Sequence, residues 1–164
     1  MARSARATEQ VPLGPEAAVA LWSDLRRWPS FVEGFARLVS ESGGWPDEGA
    51  KAVWQSGAGG RGTVTEKVKG RSPRSFSTRV VEERLFGTQT FRAEPAEGGA
   101  QVEVTLEYQL TSENPLRGLA DALFIRRALR DSLARTLRRY AVEADEDAGL
   151  RASGVANRGD VPLR

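Results

Sequence analysis

Pro115-Leu-Arg-Gly-Leu-Ala-Asp-Ala-Leu-Phe-Ile-Arg-Arg-Ala-Leu-Arg-Asp-Ser-Leu-Ala-Arg-Thr-Leu-Arg-Arg-Tyr140, followed by an acidic run ending at Asp147, is the stretch on which the fold turns. No other segment keeps a helical period for so long. Asn114 is a good N-cap, and Pro115 fits the first helical position, where its missing N–H costs nothing. At ~100° per residue, Leu119, Ala122, Leu129, Leu133, Leu137 and Tyr140 fall on one face. Asp121, Arg127, Asp131, Arg135, Arg138 and Arg139 fall on the other. A helix over 115–147, rising about 1.5 Å per residue, spans roughly 45 Å. That is enough to cross a sheet of six strands spaced about 4.8 Å apart.

Upstream of this helix the period changes from helical to alternating. Val102, Val104, Leu106, Tyr108 and Leu110 alternate with Gln101, Glu103, Thr105, Glu107 and Gln109. That is one buried and one wet face of an antiparallel sheet. Further strands are expected over 37–42, 50–55, 61–69, 74–83 and 85–94, separated by Gly- and Pro-bearing turns. At the N-terminus, 6–13 reads as a short edge strand limited by Pro12. Gly14-Pro15-Glu16 opens a helix that runs to about Asp24 or Arg27, with Ala18, Leu21, Trp22 and Leu25 on one face. Trp28-Pro29 breaks it, and a second short helix over 30–34 presents Phe31 and Phe35. The order β-α-α-β-β-β-β-β-β-α argues an α+β domain with a curved antiparallel sheet of six to seven strands. Residues 1–5 are expected to be a flexible start and 6–147 the domain. Residues 148–164 have little apolar content and no period, and read as a disordered tail. The acids at 145–147 oppose the dipole of a helix ending there, so fraying is expected.

Composition narrows the function. The chain has 164 residues, 40% hydrophobic and 28% charged, with a net charge of only +2. Its basic groups are nearly all arginine and are interspersed with acids, which argues against nucleic acid as a partner. No run reaches the ~18 apolar residues of a membrane span, and Met1 to Ala7 has no apolar signal region. There is no cysteine and no histidine. This removes thiol chemistry, Ser-His-Asp and Cys-His machinery, and His- or Cys-ligated metal sites. No catalytic residue, metal or cofactor is assigned, and a cytoplasmic protein, monomer or homodimer, is expected. The Gly-rich stretch 56–62 lacks the Gly-Lys-Ser/Thr ending of a phosphate cradle and reads as a hairpin loop.

Three features together carry a resemblance. These are Pro15-Glu16-Ala17-Ala18-Val19-Ala20-Leu21-Trp22-Ser23-Asp24 with Trp28-Pro29-Ser30-Phe31, the Glu94-Pro95 and Gly98-Gly99 hairpin before the alternating last strand, and the closing helix with Leu116, Arg117, Leu119, Arg126, Arg127, Leu133, Leu137 and Glu143. Over about 6–145 the chain resembles the polyketide cyclase/dehydrase and lipid-transport family of the START-like, birch-pollen-allergen-like (SRPBCC) helix-grip superfamily. The resemblance implies that the sheet wraps around the C-terminal helix and encloses a cavity, with the two short helices at one end. It implies a partner that is an apolar small molecule (a lipid, isoprenoid or polyketide-like compound). The alternative is a cyclase or dehydrase acting on a poly-β-keto or aromatic intermediate.

Candidate cavity-lining residues are Trp22, Trp28, Phe31, Phe35, Trp54, Phe76, Phe91, Tyr108, Leu119, Leu123 and Arg126. Arg126 and Arg130 fall beside Leu119, Leu123 and Leu137 rather than among the other arginines, where a guanidinium could hold a carboxylate, enolate or phenolate; the alternative is that they reach out to the helix edge or pair with a strand carboxylate such as Glu83 or Glu107. The N-terminal half of the helix, around Leu119, Leu123 and Arg126, is expected to look into a cavity. The C-terminal half, around Leu133, Leu137 and Tyr140, is expected to pack solidly on the sheet. The arginine-rich outer face reads as a solvated surface, without stable membrane insertion.

Overall fold

The computed structural model describes residues 3–112 and 118–158, with side chains up to 154 except that of Leu119. Asn114, Pro115 and Leu116, the expected start of the long helix, lie outside the described residues.

Seven strands form one antiparallel sheet in the order β1-β7-β6-β5-β4-β3-β2. Their spans are β1 Arg3–Val11, β2 Phe35–Ser42, β3 Lys51–Ser56, β4 Thr63–Ser72, β5 Ser75–Val81, β6 Leu85–Ala96 and β7 Gly99–Leu110. Between β1 and β2 stand the short helices α1 (Pro15–Trp22) and α2 (Trp28–Phe31), and α3 (Gly118–Arg158) closes the chain. This is the expected α+β helix-grip architecture. The β6–β7 hairpin turns on Glu97-Gly98 alone, Ala96 pairing Gly99, and Gly98 takes φ 76°. Such a left-handed position favours glycine. Alternation decides the faces. Val102, Val104, Leu106 and Tyr108 of β7 are buried inward, while Gln101 and Glu107 on the other parity are exposed.

Several boundaries differ from the sequence reading. β1 begins at Arg3, inside the stretch expected to be loose, because all nine of its residues pair with β7, from Arg3↔Tyr108 to Val11↔Ala100. α3 runs through Arg158, past the expected start of a disordered tail at 148. The acids are therefore not at a helix end. Glu143 and Asp147 face Arg27, at 2.5 and 3.7 Å, and Asp147 also meets Arg151 one turn on, at 2.9 Å. Their charge is neutralised by the residue that precedes α2, instead of opposing a terminal dipole. α1 also ends earlier than expected, at Trp22, with the Ser23 N–H closing on Val19 O, and Trp28-Pro29 opens α2 instead of breaking the first helix ahead of one over 30–34.

The core gathers where α1, α2 and the middle of α3 meet the sheet. Leu133, Leu137, Tyr140 and Ala144 of α3 are buried there. Trp22 stacks on Phe91 at 4.6 Å and 10°, and meets Phe31 and Tyr140, each at 5.5 Å. The Tyr140 hydroxyl donates to Ala18 O at 2.7 Å, and Trp28 Nε1 donates to Trp22 O at 2.8 Å. Each buried polar end is thus satisfied by backbone. Glu33 ties the α2 exit to α3 through Arg135 at 3.0 Å, and its N–H donates to Thr136 Oγ1 at 3.0 Å. The C-terminal half of the grip is sealed, as the helical periodicity implies.

Candidate functional site

The N-terminal half of α3 behaves differently. From Gly118 to Arg130 it has no fully buried side chain among those described. Leu123 is 58% exposed, although the same helix buries Leu137 completely. Here α3 runs beside β1, and a pocket of about 840 Å³ opens between them. Its walls are Leu123, Arg126, Arg127 and Arg130 from α3, Ser4, Ala5 and Arg6 from β1, and Thr105 and Glu107 from β7. Arg6 leans on Glu103 at 3.7 Å and Arg127 on Asp131 at 4.0 Å. Arg126 and Arg130 make no ion pair among the described residues. They lie one turn apart, so both guanidinium groups can address one acidic group. Tyr108 lies on the inner face of β7, on the parity opposite to Thr105 and Glu107. Its hydroxyl is buried and has no hydrogen-bond partner among the described residues. Burial raises the Tyr108 pKa, and the positive charges of Arg3 and Arg126 oppose that rise.

The expected aromatic lining is distributed otherwise. Trp22, Trp28 and Trp54 border a second void, of only about 30 Å³, in the middle of the grip. Phe31, Phe76 and Phe91 are buried core, and Phe35 is partly buried, stacked on Trp54 at 5.3 Å. Of the candidate residues, Leu123 and Arg126 alone border the large pocket among the described side chains, with Tyr108 close by. The Leu119 side chain lies outside the described residues. The interior is filled by rings because α1 and α2 insert three large aromatics against the sheet.

Sequence reasoning missed one polar group in that interior. Glu66 is 3% exposed, on the inner face of β4 between Val64 and Val68. Its carboxyl accepts from Trp54 Nε1 at 3.2 Å and from Thr78 Oγ1 at 2.8 Å. Burial raises its pKa, with Glu82 adding to the rise and Thr78, Arg61 and Trp54 opposing it. The signal was its parity: Val64, Glu66 and Val68 share one face of an alternating strand, so this carboxyl had to point inward. The raised pKa has a definite consequence for stability. Between the ordinary carboxyl value of 4.5 and its higher folded value, the folded protein holds a proton that the unfolded chain has released. Stability from this group is therefore present below pH 4.5 and falls as pH rises through that window. Glu66→Gln keeps the shape without the ionisation. Urea melts should find the variant gaining on wild type as pH rises above 4.5; a parallel pH profile for the two proteins would contradict this.

Comparison with known proteins fits this geometry. The model of the family described as polyketide cyclase / dehydrase and lipid transport matches residues 2–145. No curated relative matches the chain. Among solved structures, the di-domain ARO/CYC StfQ from the steffimycin biosynthetic pathway is similar at 17% identity and a TM-score of 0.72, over 91% of this chain. The chain spans 52% of StfQ, about half its length. The protein TTHA0849 from Thermus thermophilus is similar at 20% identity and a TM-score of 0.68, covering 92% of this chain and 99% of that one. A Thalictrum norcoclaurine synthase, a point mutant in complex with a transition-state analogue, is similar at 13% identity and a TM-score of 0.59, covering 84% and 96%. At these identities the structures speak for the fold. The family match, with the seven-stranded sheet gripping α3, decides the assignment: the chain belongs to the polyketide cyclase/dehydrase and lipid transport family.

Proposed function

We propose that the protein binds an apolar small molecule bearing an acidic group, of lipid, isoprenoid or polyketide type, between the sheet and the N-terminal half of α3. The observation that carries this reading is the contrast along one helix. Leu133, Leu137 and Tyr140 are buried, whereas Leu123 and Arg126, on the same side nearer the N-terminus, stand over a pocket of about 840 Å³. Pockets of roughly 300–1,000 Å³ suit drug-sized and lipid-sized ligands. The apolar body would lie against Leu123 and Ala5, and the acidic group would take the forks of Arg126 and Arg130. One copy of the chain supplies every residue in this account, so a monomer suffices and a homodimer is compatible. The site needs neither nucleic acid nor membrane insertion. No helix among the described residues is long and apolar enough to cross a membrane. The lack of cysteine suits a reducing compartment, and a cytoplasmic location belongs to the same proposal.

The test uses dodecanoate and dodecanol, which share a chain and differ in the acidic group. Dodecanoate at a hundred times its Kd should add about 2.7 kcal/mol of stability, read as a rise of several degrees in Tm, and dodecanol should add less. Leu123→Trp fills the pocket and should weaken dodecanoate at least about tenfold in calorimetry, or ~1.4 kcal/mol, with the unliganded Tm unchanged. Flat melting curves with both compounds, and with a wider panel of apolar acids, would contradict the reading.

A second reading, cyclisation or dehydration of a poly-β-keto intermediate, is favoured by the family match and by the likeness to the ARO/CYC protein. It would require an acid or base within the grip, and Glu66 and Tyr108 are the buried groups able to serve.

A further inference from the structure

The outer face of the sheet carries a concentration of charge that the α3 pocket does not use. The chain's 24 basic residues are arginines except for three, and those lysines, Lys51, Lys67 and Lys69, all stand on β3 and β4. Lys51 pairs Lys67, and Lys67 pairs Arg79 of β5, so three cations lie directly opposite one another on adjacent strands. Ala52, Val64, Val68 and Val80, on the other parity, are buried inward, whereas all three cations are exposed. Lys69 joins them, its ammonium donating to Thr88 Oγ1, next in the row on β6, at 3.4 Å. None of the four makes an ion pair among the described residues. The one carboxylate on β3, β4 and β5, that of Glu66, points inward. The row meets an acid only at Glu107, on β7 beyond Thr88. Like charges set directly opposite in a sheet are destabilising. These three strands are also interior to the sheet, where lysine has no edge to protect.

Two residues along the same strands the face turns apolar. Val53 pairs Thr65, Thr65 pairs Val81, and Val81 pairs Phe86. Val81 is 44% exposed, and Val53 and Phe86 are half-buried. Arg79 lies over the Phe86 ring at 5.8 Å and joins the two rows. Strand spacing sets the cations about 4.8 Å apart, and two residues of rise set the rows about 6.6 Å apart. These are the dimensions of an α-helix laid across the strands. Its side chains at i, i+4 and i+7 recur about every turn of ~5.4 Å, and a stripe at i+1, i+5 and i+8 lies roughly 100° round the same cylinder. An anionic bilayer is met instead by apolar side chains that project past the cations, and half-buried Val53 and Phe86 do not project.

We propose that the outer face of β3, β4 and β5 docks an acidic amphipathic helix of a partner protein. Its carboxylates meet Lys51, Lys67, Lys69 and Arg79, and its apolar stripe rests on Val53, Val81 and Phe86. Docking relieves the like-charge contacts of the row, so charge complementarity acts on both sides of the interface. The surface lies on the side of the sheet away from the packed aromatic core and shares no residue with the α3 pocket. It therefore stands whether or not a small molecule binds there.

The probe is a synthetic helical peptide, blocked at both ends, with glutamate at i, i+4 and i+7 and leucine at i+1, i+5 and i+8 on an alanine and glutamine background. In calorimetry at low salt, wild type should bind it at least about tenfold tighter than the same peptide with glutamine for glutamate, equivalent to ~1.4 kcal/mol. The difference should shrink as salt rises. Lys67→Glu, at the centre of the row, should remove the preference, and Val81→Ser should weaken both peptides. Because Lys67→Glu also ends the like-charge contacts, its unliganded Tm should equal or exceed that of wild type. Should it fail to fold, Lys67→Gln carries the same test and should reduce the preference about fivefold. A glutamate peptide that wild type binds no tighter than the glutamine one, or a preference that survives Lys67→Glu, overturns the proposal. So does binding of phosphatidylserine vesicles through Lys67 without binding of the peptide, which would give the face to a bilayer. Dodecanoate affinity, unchanged in Lys67→Glu, reports separately on the α3 pocket.

Discussion

Replacing Trp22 by alanine is expected to lower the unfolding free energy by about 3–5 kcal/mol, the cost typical of emptying a large aromatic site that cannot collapse. Trp22 is 3% exposed and sits where four elements converge. It stacks on Phe91 of β6, meets Phe31 of α2 and Tyr140 of α3, and belongs itself to α1. The rings around it are held by their own hydrogen bonds. Tyr140 is tied to Ala18 O and Trp28 to Trp22 O, so neither can move into the space without breaking a buried bond. Offset and edge contacts between rings add roughly 0.5–1.5 kcal/mol beyond area. Denaturant melts measure the loss directly. Val39→Ala on β2, where Val39 is 49% exposed, serves as the control and should change stability by no more than about 0.5 kcal/mol.

The second large effect concerns binding without stability. Arg126→Ala should weaken dodecanoate by roughly 10- to 100-fold, because a hydrogen bond to a charged group contributes about 1.5–3 kcal/mol and each 1.4 kcal/mol is tenfold. Arg126 is exposed and makes no ion pair among the described residues, so folding should be nearly unaffected. Dodecanol affinity should stay where it was. Arg126→Lys keeps the charge but loses the planar fork, and should fall between the two. The effect should shrink as salt rises, since the pocket is open to solvent and its charges are screened. Calorimetry of both compounds on the three proteins measures this. An equal loss for the acid and the alcohol would mean that Arg126 shapes the pocket but does not read the acid.

The fold was legible because two periodicities and the proline at Pro15 agreed. Alternation at Val102 to Leu110 marked the inner face of β7. Pro15 marked the start of α1, whereas Trp28-Pro29, read as a helix break, opens α2. The α3 stripe of Leu133, Leu137 and Tyr140 matched the buried face. The ends of elements were less legible. An acidic run reads as a helix end only if no cation answers it, and Arg27, far away in sequence, answers Glu143 and Asp147. Likewise, Arg3 to Ala5 became strand because β7 extends alongside, a long-range fact absent from local composition.

The candidate site was half legible. A helical wheel placed Arg126 and Leu123 on the inner side, but it could not say that both stay exposed beside an open pocket. The aromatic residues were expected as lining for a spacious cavity. Packing brought Trp22, Phe31, Phe91 and Tyr140 into mutual contact, and that contact fills the space. Glu66 carried its signal in parity alone, between two valines. Its meaning depended on Trp54 and Thr78 from neighbouring strands, which no reading of β4 by itself could supply.

The most direct measurement of where a ligand binds is an amide chemical-shift titration of the labelled protein with dodecanoate. The account expects saturable shifts concentrated at Ser4 to Arg6, Thr105 to Glu107 and residues 123–130, with the sealed segment around Leu137 and Tyr140 unmoved. Shifts confined to another surface, such as the groove of Asp24, Trp45 and Arg71, or none at saturating dodecanoate, would contradict it.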